Sequence, residues 1–155
     1  KLYKLNCTSL RLFNVYGTKS RTSGTYGAMF GVFLAQKLAN KPYTVIGDGK
    51  QTRTLTYVDD IVSGIVTITE SEPKHTVINV TTEEIVSVLD MVRITKEITG
   101  NDVEVEHVED RYGQIYKEVI LSKRLQEMGW KPKVSFQEGM ELSYEYYKNN
   151  NYKWN

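Results

Sequence analysis

Residues 44–60, TVIGDGKQTRTLTYVDD, constrain this chain more than any other stretch. The apolar pair Val45-Ile46 runs into Gly47-Asp48-Gly49. Those turn residues tolerate positive φ and leave little side chain in the way of an approaching ligand. Arg53 follows the turn, and a helix reads from Tyr57-Val58-Asp59-Asp60. A guanidinium is always charged, and its planar fork matches the oxygens of a phosphate. On residue types alone a second reading stands beside this one, a β-hairpin whose arginine is a solvated surface charge.

The rest of the chain alternates strand and helix patterns. Residues 8–13, TSLRLF, predict a strand ending in the Asn14 to Gly17 turn, and 18–25 a polar loop. Residues 27–40 predict a helix that stops before Pro42. A short strand follows at 44–46, then a helix over 59–70 with Ile61, Ile65, Val66 and Ile68 inward, then a buried strand at 76–80. Residues 83–99 predict one helix closed by Gly100, and 103–108 a half-exposed strand. Ser122 is placed to cap a short helix through Met128. Ser135-Phe136-Gln137-Glu138 has capping-box spacing for a last helix over 138–148. The polar tail 149–155 is expected to fray. This order places the chain in the α/β class with a parallel element.

Composition removes several functions. A net charge of +1 over 155 residues argues against a dedicated nucleic-acid surface. No apolar run approaches the ~18 residues of a membrane span. The lone Cys7 excludes an internal disulfide and a CxxC metal site, and with no signal peptide the expected location is cytoplasmic. His75 and His107 lack metal-ligand spacing, so no metal is expected. There is no G-x-S-x-G elbow, and Gly49-Lys50 is not a P-loop because Gln51 and Thr44 stand where Ser/Thr and the first glycine belong. Without an initiator Met, the chain reads as part of something longer.

With RLFNVYG at Arg11 to Gly17 upstream, G-D-G-x-Q-x-R followed by Y-V-D-D resembles the extended short-chain dehydrogenase/reductase family. The likeness is to its carboxyl-terminal half, nearest the NAD-dependent nucleotide-sugar 4-epimerases (UDP-glucose 4-epimerase-like) and 4,6-dehydratases. It runs from about Asn6 to about Tyr147. It implies a single fragment, 1–155, holding the carboxyl-terminal part of a Rossmann-type sheet plus the smaller substrate-binding domain. The strands near 8–13 and 76–80 would belong to that sheet.

The resemblance also implies a site. Asn14 would touch the bound nucleotide sugar, although an asparagine making a local turn is an equal reading of the residue itself. Arg53 and Arg111 would grip the diphosphate, Val45 and Ile46 would wall the base, and Tyr26 would join them from the segment before the first long helix. The ligand would be a nucleotide-diphosphate sugar, UDP-linked, and the full-length enzyme a homodimer. Three departures from the family pattern stand out. Thr54 replaces an aspartate, Asn79-Val80-Thr81-Thr82-Glu83 lacks the usual glycines, and Tyr112 replaces a proline in a shortened loop.

Such enzymes oxidise the sugar at C4 with bound NAD, pass through a 4-keto sugar and return the hydride, using a Tyr-x-x-x-Lys pair. The one such pair here, Tyr144 and Lys148, falls in the last predicted helix and reads as an amphipathic coincidence. Neither a catalytic nor a cofactor-binding residue is therefore expected in this chain. NAD would be held mainly by an amino-terminal half, with the catalytic pair just upstream of Lys1, and the chain alone would be inactive. Two rivals are a stand-alone nucleotide-sugar binding module and a structural domain that has lost its ligand.

Overall fold

The computed structural model describes residues 6–20, 29–72, 76–100, 103–110 and 112–150. Its elements in order are β1 (Ser9–Leu12), β2 (Val15–Tyr16), α1 (Met29–Leu38), β3 (Tyr43–Ile46), β4 (Thr52–Thr54), β5 (Thr56–Tyr57) and α2 (Val58–Glu70). Then come β6 (Val77–Val80), β7 (Ile85–Ser87), α3 (Val88–Thr99), β8 (Val105–Val108), α4 (Lys123–Glu127) and α5 (Phe136–Asn149). The strands form four pairs. β1 and β6, β2 and β5, and β3 and β8 run parallel, while β4 and β7 run antiparallel. The α/β class with parallel strands is thus what the chain adopts.

The pairing of β1 with β6 puts Arg11 opposite Asn79. Among the described residues β6 is the sole partner of β1, and Leu12 is 46% exposed. No strand among them pairs with the other edge of β1.

Two apolar clusters hold the fold. The larger gathers Tyr16, Phe30, Phe33, Tyr43, Val45, Met91, Phe136, Met140 and Tyr147. Tyr16 meets Phe30 and Tyr57 edge-on at 5.2 and 5.6 Å, the arrangement that ring quadrupoles favour. Gly139 on α5 lets that tyrosine in, since a Cβ there would stand 2.2 Å from the Tyr16 hydroxyl oxygen. The smaller cluster, Ile61, Ile68, Ile78, Val80, Leu125 and Trp130, packs α2 and α4 against β6. Each such buried side chain contributes about 1.5–3 kcal/mol.

Asp60, 3% exposed, ties the start of α2 to the approach of α5. Its carboxylate accepts from the backbone N–H of Lys133 at 3.0 and 3.1 Å and of Val134 at 3.0 Å. Trp130 adds a bond from its indole N–H to the Ser63 hydroxyl at 2.9 Å.

The structure corrects the sequence reading in four places. The helix expected from 83 begins only at Val88, because Ile85 and Val86 pair with β4 and the Ser87–Asp90 capping box starts the helix afterwards. Ser122 makes no cap bond through its side chain, and its hydroxyl accepts from the Gln126 amide instead. Val66 faces solvent at 47% exposure, since Ile61, Gly64 and Ile68 already fill the buried stripe of α2. Asn149 ends α5 as part of the helix, and Asn150 bonds the Tyr146 carbonyl through backbone and side chain. The rest of the predicted tail, 151–155, lies outside the described residues. Gly100 does close α3 in the left-handed conformation, at φ 62°.

Asp60→Ala should cost about 2 kcal/mol in urea unfolding, because two part-buried N–H groups lose a charged acceptor. The Ser87 hydroxyl bond, with the Ser87 N–H and Arg93 behind it, holds the Asp90 carboxyl below the usual carboxylate range. A depressed folded pKa gives stability that is present above the ordinary value near ~3.9 and lost as pH falls through the folded one. Asp90→Asn should therefore be less stable at pH 7, with the difference from the parent shrinking below about pH 4.

Candidate functional site

Asn14 sits at the carboxyl end of β1, at φ 41°, a left-handed conformation that asparagine tolerates better than most residues. That turn sends the chain out of the β1–β6 pair and into β2. The carboxyl ends of parallel strands are where open α/β sheets gather ligands. The Asn14 carbonyl accepts from Thr56 N–H at 3.3 Å, and its side-chain amide donates to the Thr54 carbonyl at 2.9 Å. Asn14 is thereby stapled to the segment that carries Arg53.

Arg53 lies half-buried on β4. Its Nη1 donates to the Thr52 and Ile115 carbonyls, both at 2.7 Å. The second bond brings in residues 114–121, a strap without helix or strand that crosses the strand ends. The strap is fastened at several points. Thr52 N–H donates to the Tyr116 carbonyl at 2.8 Å, and Asn14 donates to Glu118 Oε2 at 2.6 Å. Asn79 donates to the Leu121 carbonyl at 3.1 Å, and the Tyr116 hydroxyl donates to Asp110. That bond to Asp110 pushes the Tyr116 phenol upward from its ordinary pKa. The outward face of the strap is apolar, with Ile115, Tyr116 and Val119 each more than half exposed.

Val45 and Ile46 occupy β3 and differ in access. Val45 is completely buried in the larger core, whereas Ile46 keeps partial exposure at the strand end. Gly47 and Gly49 both take positive φ, 64° and 74°. The open space read into this turn from its sequence is filled by the protein itself. A Cβ at Gly49 would stand 2.9 Å from Leu89 and Val45, and one at Gly47 would stand 3.3 Å from Asp110. The turn also anchors α3, through Leu89 N–H to the Gly49 carbonyl and Val88 N–H to the Gln51 carbonyl. Tyr26 and Arg111 lie outside the described residues.

Two departures from the family pattern acquire a structural account. Thr54 is buried and turned away from the arginine into a threonine cluster. The Thr81 hydroxyl lies 3.5 Å from that of Thr54 and 3.3 Å from that of Thr56, and Thr82 N–H donates to the Thr56 hydroxyl at 2.9 Å. Arg53 is instead oriented by the Thr52 and Ile115 carbonyls. The glycine-poor turn at 79–83 contains no positive-φ residue, so it needs no glycine. Tyr144 and Lys148 lie one turn apart on α5, the ammonium 5.9 Å from the ring centre. Lys148 also pairs with Glu145 at 3.8 Å.

Beside the strap lies a cavity of about 550 Å³, lined in part by Arg11, Asn79, Leu121, Lys123 and Arg124. Arg124 Nη1 donates to the Val77 carbonyl on its wall. Among the described candidates, none of Asn14, Val45, Ile46 and Arg53 lines it.

Residues 1–81 match the family model for the NAD dependent epimerase/dehydratase family. This chain belongs to the NAD-dependent epimerase/dehydratase family. A solved UDP-glucose 4-epimerase from Thermotoga maritima, in complex with UDP-glucose, superimposes with a TM-score of 0.86 at 32% identity, over 94% of this chain and 47% of that one. A Bacillus cereus UDP-glucuronic acid 4-epimerase in complex with UDP-glucuronic acid and NAD gives 0.81 at 30%, over 92% and 45%. UDP-glucuronic acid decarboxylase 1 of Arabidopsis thaliana is 30% identical over 131 residues, 84% of this chain and 29% of that protein. The chain spans less than half the length of these relatives. Its fold is the Rossmann-type α/β fold of those epimerases over the matched half.

The epimerase/dehydratase motifs point to Asn14 and Arg53 but not to the strap residues that meet them. Glu118 lies 104 residues from Asn14, and no local pattern marks it. Gly49→Ala in this family member should lose about 2 kcal/mol of stability, from positive φ and overpacking against Leu89 and Val45 combined. Thermal unfolding measures it, and an unchanged melting temperature would contradict the packing described.

Proposed function

We propose that this chain is the nucleotide-sugar-holding, carboxyl-terminal half of an NAD-dependent UDP-sugar 4-epimerase. The observation that carries the reading is that Asn14, at the end of the parallel strand β1, and Arg53, on the antiparallel strand β4, lie together under one strap that both side chains hold. Arg53, with Arg111, is assigned to the diphosphate. Asn14 is assigned to the sugar, Ile46 with Val45 behind it to the base, and Tyr26 to the rim. The strands β1 and β6 are assigned to the parent Rossmann sheet.

The glycine turn at 47–49 does not fit the pyrophosphate of a dinucleotide. It leads into β4 rather than into a helix, and Asp110, Leu89 and Val45 crowd the positions where its glycines lack side chains. NAD is accordingly assigned to an amino-terminal half, and no redox or proton-transfer step is assigned to this chain. Its residues bind and orient a sugar whose C4 centre is inverted by way of a 4-keto sugar. A 4,6-dehydratase would use the same binding residues. A structural domain that has lost its ligand is the reading favoured by one observation, that Arg53 Nη1 and the Asn14 amide are already bonded to protein groups.

Calorimetry with UDP-glucose on the natural-length protein tests the assignment. Arg53→Ala should weaken binding at least tenfold, since a charge-assisted hydrogen bond contributes about 1.5–3 kcal/mol. Arg53→Lys should recover only part of the loss, because the ammonium lacks the planar fork. Unchanged affinity in Arg53→Ala would favour the structural reading. The same protein should interconvert C4 epimers of the UDP-sugar, and the 155-residue chain alone should not.

A further inference from the structure

We propose that Glu118 makes this site selective for nucleotide sugars with an uncharged hexose, against those carrying a sugar carboxylate. The inference rests on the nucleotide-sugar reading above and adds a residue and a substrate class to it.

The Asn14 amide nitrogen has two hydrogens. It faces two acceptors, the Thr54 carbonyl at 2.9 Å and Glu118 Oε2 at 2.6 Å. Two acceptors around one terminal atom fix the orientation of the amide, and both hydrogens are consumed. What Asn14 and Glu118 still offer a ligand is the amide oxygen and the second carboxylate oxygen, both acceptors.

A group that docks against them must donate a hydrogen bond. A sugar hydroxyl does so, whereas an ionised carboxylate brings acceptors alone and a second negative charge. Like charges within ~4–6 Å disfavour one another, and discrimination by repulsion is as effective as discrimination by attraction. Glu118 has no cation within 4 Å among the described residues to cancel its charge. Sequence likeness does not make this distinction, because the chain matches the glucose and the glucuronic acid 4-epimerases at 32% and 30% identity.

Isothermal titration of the natural-length protein with UDP, UDP-glucose and UDP-glucuronic acid decides the matter. The parent should bind UDP-glucose at least tenfold more tightly than UDP-glucuronic acid. Glu118→Gln keeps the shape and removes the charge, and it should narrow that ratio at least fivefold by tightening UDP-glucuronic acid, with UDP unchanged. Glu118→Ala should shift the ratio in the same direction, which covers a poorly folded glutamine variant. Equal affinities in the parent, or an unchanged ratio in both variants while UDP still binds, would overturn the role of Glu118 alone. Failure of the parent to bind UDP at all would overturn the nucleotide-sugar reading and this inference with it.

Discussion

The buried carboxylate of Asp60 is the constraint on which the arrangement depends. It stands at the first turn of α2, where helix N–H groups favour a negative charge. Its oxygens are spent on the N–H groups of Lys133 and Val134. Those residues lie between Trp130, in the smaller core, and Phe136, in the larger. One side chain thus fixes how the chain passes from α4, which packs on β6, to α5, which packs on Tyr16. Because Tyr16 follows Asn14 by two residues, the packing that seats Tyr16 also bears on the direction of the chain through the candidate site.

Threonines carry out a second task that the family gives to other residues. Thr54, Thr56, Thr81 and Thr82 meet in one buried cluster where β4, β5 and the end of β6 converge. A hydroxyl both donates and accepts, so a few of them can satisfy one another and a backbone N–H without any charge. The cluster joins the segment carrying Arg53 to the parallel pair carrying Asn79, and Arg53 and Asn79 each hold the strap. Thr54 and Thr81, which stand where the family pattern has an aspartate and a glycine, both belong to this internal fastening.

Much of the fold was legible because it rested on local chemistry. The Gly100 and Ser135 caps follow from residues within one turn of the helix ends, and the helix read over 59–70 follows from its apolar spacing. The strand at 85–87 was not legible, because Glu83-Glu84 ahead of an apolar run looks like a helix start, and only β4, more than thirty residues away, makes it a strand. The site divided in the same way. Asn14 and Arg53 sit in motifs, and the structure brings them together. The buried side of Val45 follows from core packing, which a short apolar run cannot reveal. Glu118 and the Ile115 carbonyl act across large sequence separations from a stretch with no periodicity at all.

The second edge of β1 bears on how the molecule behaves in company. A short strand whose second edge has no strand partner among the described residues, with a half-exposed Leu12 at its end, is a template for another strand. Within β1 itself the one charge is Arg11, which lines the cavity. Colloidal behaviour should therefore depend on concentration more steeply than the balanced composition suggests. A covering strand would act as a solubility device as much as a structural one.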